Sequence, residues 1–166
     1  MPKANKVSKP SPGAFLNMAR EYHSAANTLF PIAKDVTSPI YFLYAHTLEL
    51  AFKAYLGLHG CSVPQIHDLE SLSRSCQKHG LQVNRELAEV IRLLESENKI
   101  HGFRYFALVS TGIPEIGYLR HVVDDLMVTV ARDVEKTLSK GSDKEMVLKF
   151  IVGKPEKKVQ RFLNAE

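Results

Sequence analysis

The sequence lacks tryptophan and has little cysteine, glycine or proline: two cysteines, nine glycines and eight prolines among 166 residues. So few cysteines exclude a disulfide-based scaffold, and so little glycine and proline exclude a collagen-like chain. Hydrophobic residues make up 45% and charged residues 24% of the chain, which excludes a wholly disordered chain and a polytopic membrane protein. The length is that of one ordinary domain with a core of its own.

The short motifs of several enzyme and targeting classes are also missing. The sequence contains no glycine-rich phosphate loop, no HExxH, no GxSxG and no CxxC, so hydrolases of those types are not supported, and we predict no metal and no cofactor. Cys61 and Cys76 are lone thiols, which are typical of the reducing cytoplasm, where we expect the protein. The first residues have no apolar segment and therefore do not form a signal peptide.

Positive charge is concentrated at the two ends of the chain. The formal net charge is +4, three lysines lie among the first ten residues, and the last twenty-seven residues contain seven basic against four acidic side chains. We predict a disordered basic leader over residues 1–12 and a basic C-terminal arm over residues 141–166. The charge serves either to solubilise the ends or to hold an anionic partner. Within the arm, Met146–Val152 is more strand-like than helical by its β-branching, and its role stays open.

Apolar residues recur at helical spacing through residues 13–140, which predicts an all-α bundle of about five helices. The predicted helices are Gly13–Ala33, Pro39–Leu58, Leu69–Lys78, a fourth after Asn84, and Glu115–Ser139. Their start signals, each a capping residue or a first-turn proline, are Ser11 or Pro12, Thr37-Ser38-Pro39, Asp68, Asn84 and Pro114. Pro31 is expected to kink or end the first helix.

The second predicted helix is apolar around nearly its whole circumference, which indicates a helix at the centre of the domain. Its narrow polar stripe consists of His46, Glu49 and Lys53. Glu49 precedes Lys53 by four residues, the favourable order for an ion pair. Such a buried pair either fixes the packing of the helix or has a pKa shifted far enough for acid–base chemistry.

Two further segments carry candidate functional side chains. His67 directly precedes the predicted cap Asp68, where it could cap the helix, pair with Glu49 or act as a general base. The irregular stretch His101-Gly102-Phe103-Arg104-Tyr105 suits recognition of an anion or a base by bidentate contact and stacking. Alternatively, Arg104 forms a structural bridge to a glutamate, for example Glu49.

Three segments together resemble a bacterial HEPN domain, the higher eukaryotes and prokaryotes nucleotide-binding domain. They are Tyr41–Leu56 (YFLYAHTLELAFKAYL), His67-Asp68-Leu69 and Arg104-Tyr105, and the resemblance extends over about residues 13–138. It implies an all-α up-and-down bundle, frequent homodimerisation and association with RNA or nucleotides. Many members are metal-independent ribonucleases of toxin–antitoxin or other defence systems, which suggests a nucleotidyltransferase-type partner protein. Others are inactive binding modules.

The ribonucleases of this family carry an Arg followed, after roughly four to six residues, by a His. Arg74 and His79 have this spacing, but chance alone predicts about one such pair in a chain of this composition. The pair also falls on the short third helix, whereas the family motif normally lies near a later one. Arg104 lies closer to that place, but no His follows it until His121.

We therefore predict a nucleotide- or RNA-associated binding or assembly module, with a polar cleft beside the second helix. The first alternative is a metal-independent endoribonuclease, and the second is a protein–protein adaptor with a purely structural polar cluster. Should the protein be catalytic, Arg104 would stabilise phosphate charge and His67 or His101 would move the proton. The predicted site residues are His67, Arg104 and Glu49 as catalytic candidates, with His46, Lys53, His101 and Tyr105 as substrate-binding candidates.

Overall fold

The computed structural model describes residues 10–99 and 113–139, with the backbone alone for residues 96–99. In this part of the chain the backbone forms five α-helices, one short 3-10 helix and no strand. The α-helices are α1 (Pro12–Leu29), α2 (Thr37–Leu58), α3 (Leu69–Gln77), α4 (Arg85–Lys99) and α5 (Ile116–Leu138), and the 3-10 helix is Phe30–Ile32. The prediction of an all-α bundle is confirmed.

Helix α2 lies at the centre of the bundle, as its almost continuous apolar surface predicts. It packs against α1, α3 and α5, and thirteen of its residues are buried. Among these, Tyr44, Leu48 and Phe52 are completely enclosed. Burial of an apolar side chain of this size contributes about 1.5–3 kcal/mol. Helix α2 therefore anchors the core and fixes the positions of its own polar side chains.

Three of the predicted helix starts have the expected capping hydrogen bonds. The side-chain oxygens of Ser11, Asp68 and Asn84 each accept from the backbone N–H three residues later, at 3.1, 2.6 and 2.8 Å. Each bond satisfies one of the amides that a helix N-terminus leaves without an internal partner. Because Asp68 is such a cap, the chain immediately before α3, which contains His67, has a defined path.

The predicted start of α2 is wrong. The helix begins at Thr37 rather than at Pro39, and Val36 is its N-cap residue without a side-chain bond. The reason is that the Thr37 hydroxyl donates to the carbonyl oxygen of Ala33 (2.9 Å) instead of accepting from an amide ahead of it. Pro39 then stands within the first turn, where its missing N–H leaves no hydrogen bond unmade.

The two long outer helices are slightly shorter than predicted. The α-helical part of the first segment ends at Leu29, and Pro31 lies in the following 3-10 turn. Helix α5 starts after Glu115, whose carboxylate accepts from two amides of the first turn at 2.9 and 2.8 Å. Along α5, Ile116 is half-buried, and the buried residues recur at helical spacing: Leu119, Val122, Val123, Leu126, Met127, Val130 and Val134.

Several predictions concern residues outside the described ranges. These are the leader up to residue 9, the arm over residues 141–166 and the Met146–Val152 segment within it. The division of the chain into leader, bundle and arm therefore stays a prediction. No helix within the described ranges combines the length and the apolarity needed to cross a bilayer.

Candidate functional site

Glu49 lies in the middle of α2 with its side chain 8% exposed, and it pairs with Lys53 one turn later. Lys53 Nζ donates to Glu49 Oε1 at 2.6 Å, and the lysine side chain is 9% exposed. The chain folds this way locally because residues four apart on a helix are neighbours. A buried charge requires a partner of opposite sign, and here each of the two charges provides it for the other.

His46, one turn before Glu49, is the second group held by this carboxylate. Its Nδ1 donates to Glu49 Oε2 at 3.3 Å. Aromatic rings enclose the imidazole: Phe42 is stacked on it with centroids 5.8 Å apart, and Tyr22 of α1 meets it edge-on at 4.4 Å. The ring is therefore fixed both by a hydrogen bond and by packing between α1 and α2.

His67 reaches the same carboxylate from the loop before α3. Its Nδ1 lies 3.0 Å from Glu49 Oε1 and 3.1 Å from Oε2, while 63% of its side chain is exposed. The loop is held in place by Asp68, which caps α3, and by the buried carboxylate of Glu95, which accepts from the Leu69 N–H at 2.9 Å. We call Glu49, Lys53, His46 and His67 the Glu49 cluster.

The environment of Glu49 keeps its carboxylate ionised. Burial alone would raise its pKa, but the hydrogen bonds from His46, Lys53 and His67, together with the charge of Lys53, outweigh burial and lower the pKa to about 2. At neutral pH the carboxylate is therefore an acceptor only. Because it accepts from Nδ1 of His67, Nε2 is the acceptor nitrogen of the neutral imidazole.

The structure thus brings together four of the predicted site residues, His46, Glu49, Lys53 and His67. The remaining three, His101, Arg104 and Tyr105, lie outside the described residues. Their approach to the Glu49 cluster, and the alternative bridge between Arg104 and Glu49, stay predictions.

The pair with the ribonuclease spacing has its described contacts elsewhere. Arg74 is exposed and bonds Glu70 within α3 at 3.3 Å. Nε2 of His79 lies 3.1 Å from Sγ of Cys61. Neither contact involves the Glu49 cluster.

Sequence reasoning missed Tyr22, the role of Glu95 and a second polar network. In this network Nε2 of His23 lies 2.5 Å from Asp124 Oδ1 and 3.1 Å from Asn27 Nδ2, and Asn27 Oδ1 accepts from the Tyr44 hydroxyl at 2.8 Å. Its central contact joins α1 to α5 across 101 positions of sequence, which no local pattern reveals. Glu95 is different, because a glutamate on the apolar stripe of α4 is itself a sign of a buried acceptor.

The described residues contain no group of three His, Cys, Asp or Glu side chains arranged to hold a metal ion. His46, Lys53 and His67 instead each form a hydrogen bond to the Glu49 carboxylate. What this arrangement does chemically is to present an oriented imidazole at the surface, backed by a buried ionised carboxylate. Such a carboxylate–imidazole pair can hold a hydrogen-bonding ligand or transfer a proton.

Fold and site together define an all-α bundle whose central helix carries a buried carboxylate holding an exposed histidine. The family model described as the HEPN domain matches residues 13–130, which is more than half of the chain. The chain therefore belongs to the HEPN domain family, and the resemblance noted in the sequence is confirmed. No curated protein and no solved structure gave a significant match. Membership of this family indicates a nucleotide- or RNA-related role.

Proposed function

We propose that the chain is an RNA- or nucleotide-binding module and that the Glu49 cluster forms part of its binding face. The observation that carries this proposal is the position of His67, which is exposed and yet held through Nδ1 by a buried carboxylate. A side chain whose orientation is already fixed loses less conformational entropy when it binds a ligand. Membership of the HEPN family supports the same class of ligand.

The tautomer of His67 favours a ligand that donates a hydrogen bond. Since Nδ1 donates to Glu49, the neutral ring offers Nε2 as an acceptor. The ribose 2′-hydroxyl is a donor that RNA has and DNA lacks. We therefore expect the site to prefer single-stranded RNA to DNA of the same sequence.

The test measures the affinity for fluorescently labelled single-stranded RNA of mixed sequence, and for the matching DNA, by fluorescence anisotropy. His67→Ala should weaken RNA binding about fivefold, as expected for the loss of one hydrogen bond worth about 1 kcal/mol, and should reduce the preference over DNA. The matched control is His121→Ala, which removes an exposed histidine that pairs with Asp125 on α5. Equal affinities of His67→Ala and the wild type would overturn the proposal for this face. Binding of neither nucleic acid, nor of nucleotides, by the wild type would leave the adaptor hypothesis.

A metal-independent endoribonuclease is the second candidate, because an oriented imidazole is also the arrangement of a general base. Nε2 of His67 would accept the proton of the 2′-hydroxyl while its oxygen forms a bond to the adjacent phosphorus; the P–O5′ bond would break, and the leaving 5′-oxygen would take a proton from water. Glu49 would stabilise the imidazolium that forms, and Arg104 would neutralise phosphate charge. His101 and Tyr105 would contact the substrate, and so would His46 and Lys53 on the side of α2.

This candidate is tested by incubating mixed RNA with the protein in the presence of EDTA. If the protein is such a nuclease, the wild type cleaves the RNA, His67→Ala and Arg104→Ala do not, and His121→Ala cleaves it at the wild-type rate. No cleavage by the wild type, combined with RNA binding, supports the binding module.

The proposal also includes the oligomeric state, the cellular location and a partner protein. Family membership supports a homodimer, and two free cysteines are in keeping with a cytoplasmic location. A bacterial toxin–antitoxin or other defence role, with a nucleotidyltransferase-type partner protein, follows from the resemblance. Co-purification of the endogenous protein followed by mass spectrometry tests for that partner.

A further inference from the structure

A second group of reactive side chains lies where the chain leaves α2. Sγ of Cys61 is 3.1 Å from Nε2 of His79, which follows the end of α3. The ring of His59 stacks on that of His79 with centroids 5.4 Å apart and an angle of 26° between the planes. Cys61 is half-buried, and both histidines are exposed. We call these three residues the Cys61 cluster.

The fold holds the Cys61 cluster together from both sides. The Tyr55 hydroxyl donates to the carbonyl oxygen of His79 at 3.1 Å, which fixes the end of α3 against α2. On each side a glycine in the left-handed region makes the turn: Gly60, with φ of 71°, precedes Cys61, and Gly80, with φ of 99°, follows His79. Because side chains other than glycine rarely adopt such φ values, these turns are specified by the sequence.

A thiol in hydrogen-bond contact with an imidazole is the arrangement of an activated cysteine. The thiolate, not the thiol, is the nucleophile, and a neighbouring base generates it by accepting the proton. A third group normally orients that base. Here the ring of His59 stacks on that of His79, and the Tyr55 hydroxyl holds the His79 backbone.

We propose that Cys61 is a site of mixed-disulfide formation with low-molecular-weight disulfides and that His79 is its base. The Cys61 thiol gives its proton to Nε2 of His79. The resulting thiolate forms a bond to one sulfur of the disulfide, whose S–S bond breaks and releases the other half as a thiolate. The Cys61 sulfur is oxidised and the leaving sulfur is reduced, so the step needs no other oxidant. This site is separate from the Glu49 cluster and does not depend on the function proposed for it.

The other cysteine provides a reference within the same chain. Cys76 is completely buried, and its thiol donates to the carbonyl oxygen of Phe52 at 3.5 Å. Burial, with a smaller contribution from the charge of Cys61, raises the pKa of Cys76 to about 12. A buried thiol of high pKa is unreactive towards disulfides. The folded protein should therefore take up one equivalent, on Cys61.

The experiment exposes the full-length protein to glutathione disulfide at neutral pH and follows the adduct by intact-protein and peptide mass spectrometry. The wild type should form a single adduct on Cys61, and Cys61→Ser should form none. His79→Gln, which removes the base at an exposed position, should slow the reaction at least about fivefold, since an ordinary thiol is only a few per cent ionised at neutral pH. His121→Gln is the control for loss of a histidine and should react at the wild-type rate.

A second comparison needs no variant. Cys61 of the folded protein should react faster than Cys61 of the chain unfolded in urea, where His79 no longer adjoins it. An adduct on Cys76, no adduct at all, an unchanged rate in a folded His79→Gln or equal rates in folded and unfolded chains would each overturn the proposal.

Discussion

Glu49 carries an ionised carboxylate inside the bundle, held by Lys53, His46 and His67. Desolvation of two charges offsets much of their mutual attraction, so a buried ion pair stabilises a fold less than well-packed apolar side chains often do. Removal of Glu49 alone is a different matter, because the buried charge of Lys53 then loses its described partner. Removal of Lys53 alone leaves Glu49 with the contacts to His46 and His67. Variants of the Glu49–Lys53 pair can therefore separate its contribution to stability from its contribution to RNA binding.

We expect Glu49→Leu alone to lower the free energy of unfolding by about 3–5 kcal/mol, because it leaves the buried charge of Lys53 behind. Glu49→Leu/Lys53→Met should lower it by less, because the double variant leaves no charge of the pair behind. The same double variant no longer holds His67 and should lose RNA affinity as His67→Ala does. Urea denaturation and RNA anisotropy measure the two effects. A double variant with wild-type affinity would show that the pair serves packing alone.

The lowered pKa of Glu49 also predicts how stability depends on pH. The pKa falls from its ordinary value of 4.5 to about 2 on folding. The stabilisation is therefore fully present above about pH 4.5 and is lost as the pH falls towards 2, a difference on the order of 3 kcal/mol. The free energy of unfolding of the wild type should exceed that of Glu49→Gln by less at pH 3 than at pH 7. The exposed Glu89 gives the control, since Glu89→Gln should track the wild type throughout.

At the level of the elements, the two side-chain caps Asp68 and Asn84 form a natural pair for an experiment. Both accept from the backbone N–H three residues later, one at the start of α3 and the other at the start of α4. Asp68→Ala and Asn84→Ala should each cost about 1 kcal/mol of stability. Only Asp68→Ala disturbs the residue next to His67, so it alone should weaken RNA binding. Equal affinities of the two variants would contradict the view that the α3 cap positions His67.

These elements also show what the sequence predicts and where it fails. Asp68 and Asn84 are recognisable because a polar residue before an apolar period has one dominant local use. Thr37 was misassigned because a threonine hydroxyl can equally donate to the carbonyl four residues behind it, and it does so with Ala33. Spacing along α2 predicts the pair of Glu49 with Lys53. The approach of His67 to Glu49 was one of three alternatives, and the fold shows this contact.

At the level of the whole molecule, contacts between distant segments lie beyond local patterns. The bond between His23 and Asp124 requires α1 to pack against α5 in one register. The Tyr41 hydroxyl likewise donates to the carbonyl of Pro114, just before α5 begins. Spacing within a single helix contains no information about either contact. The central place of α2 was nevertheless predictable, because a helix that is apolar all round must be surrounded.

Since α1, α3 and α5 all pack on α2, we expect the bundle to unfold in one cooperative transition. Far-UV circular dichroism and tyrosine fluorescence should give the same urea midpoint. Tyr44→Phe removes the hydroxyl that donates to Asn27 and should lower the free energy of unfolding by about 1 kcal/mol, shifting both midpoints equally. Separate midpoints for the two probes would contradict a single cooperative unit.

The stacking of Phe42 on His46, 5.8 Å between ring centroids, has a consequence for spectroscopy. Because the sequence contains no tryptophan, Phe42→Trp would introduce one fluorophore of its kind, half-buried and in contact with a member of the Glu49 cluster. The emission of this tryptophan would change when a ligand binds beside His46. Binding at that face would then change the intrinsic fluorescence of the protein. A titration with RNA or a nucleotide could therefore be followed without a labelled ligand.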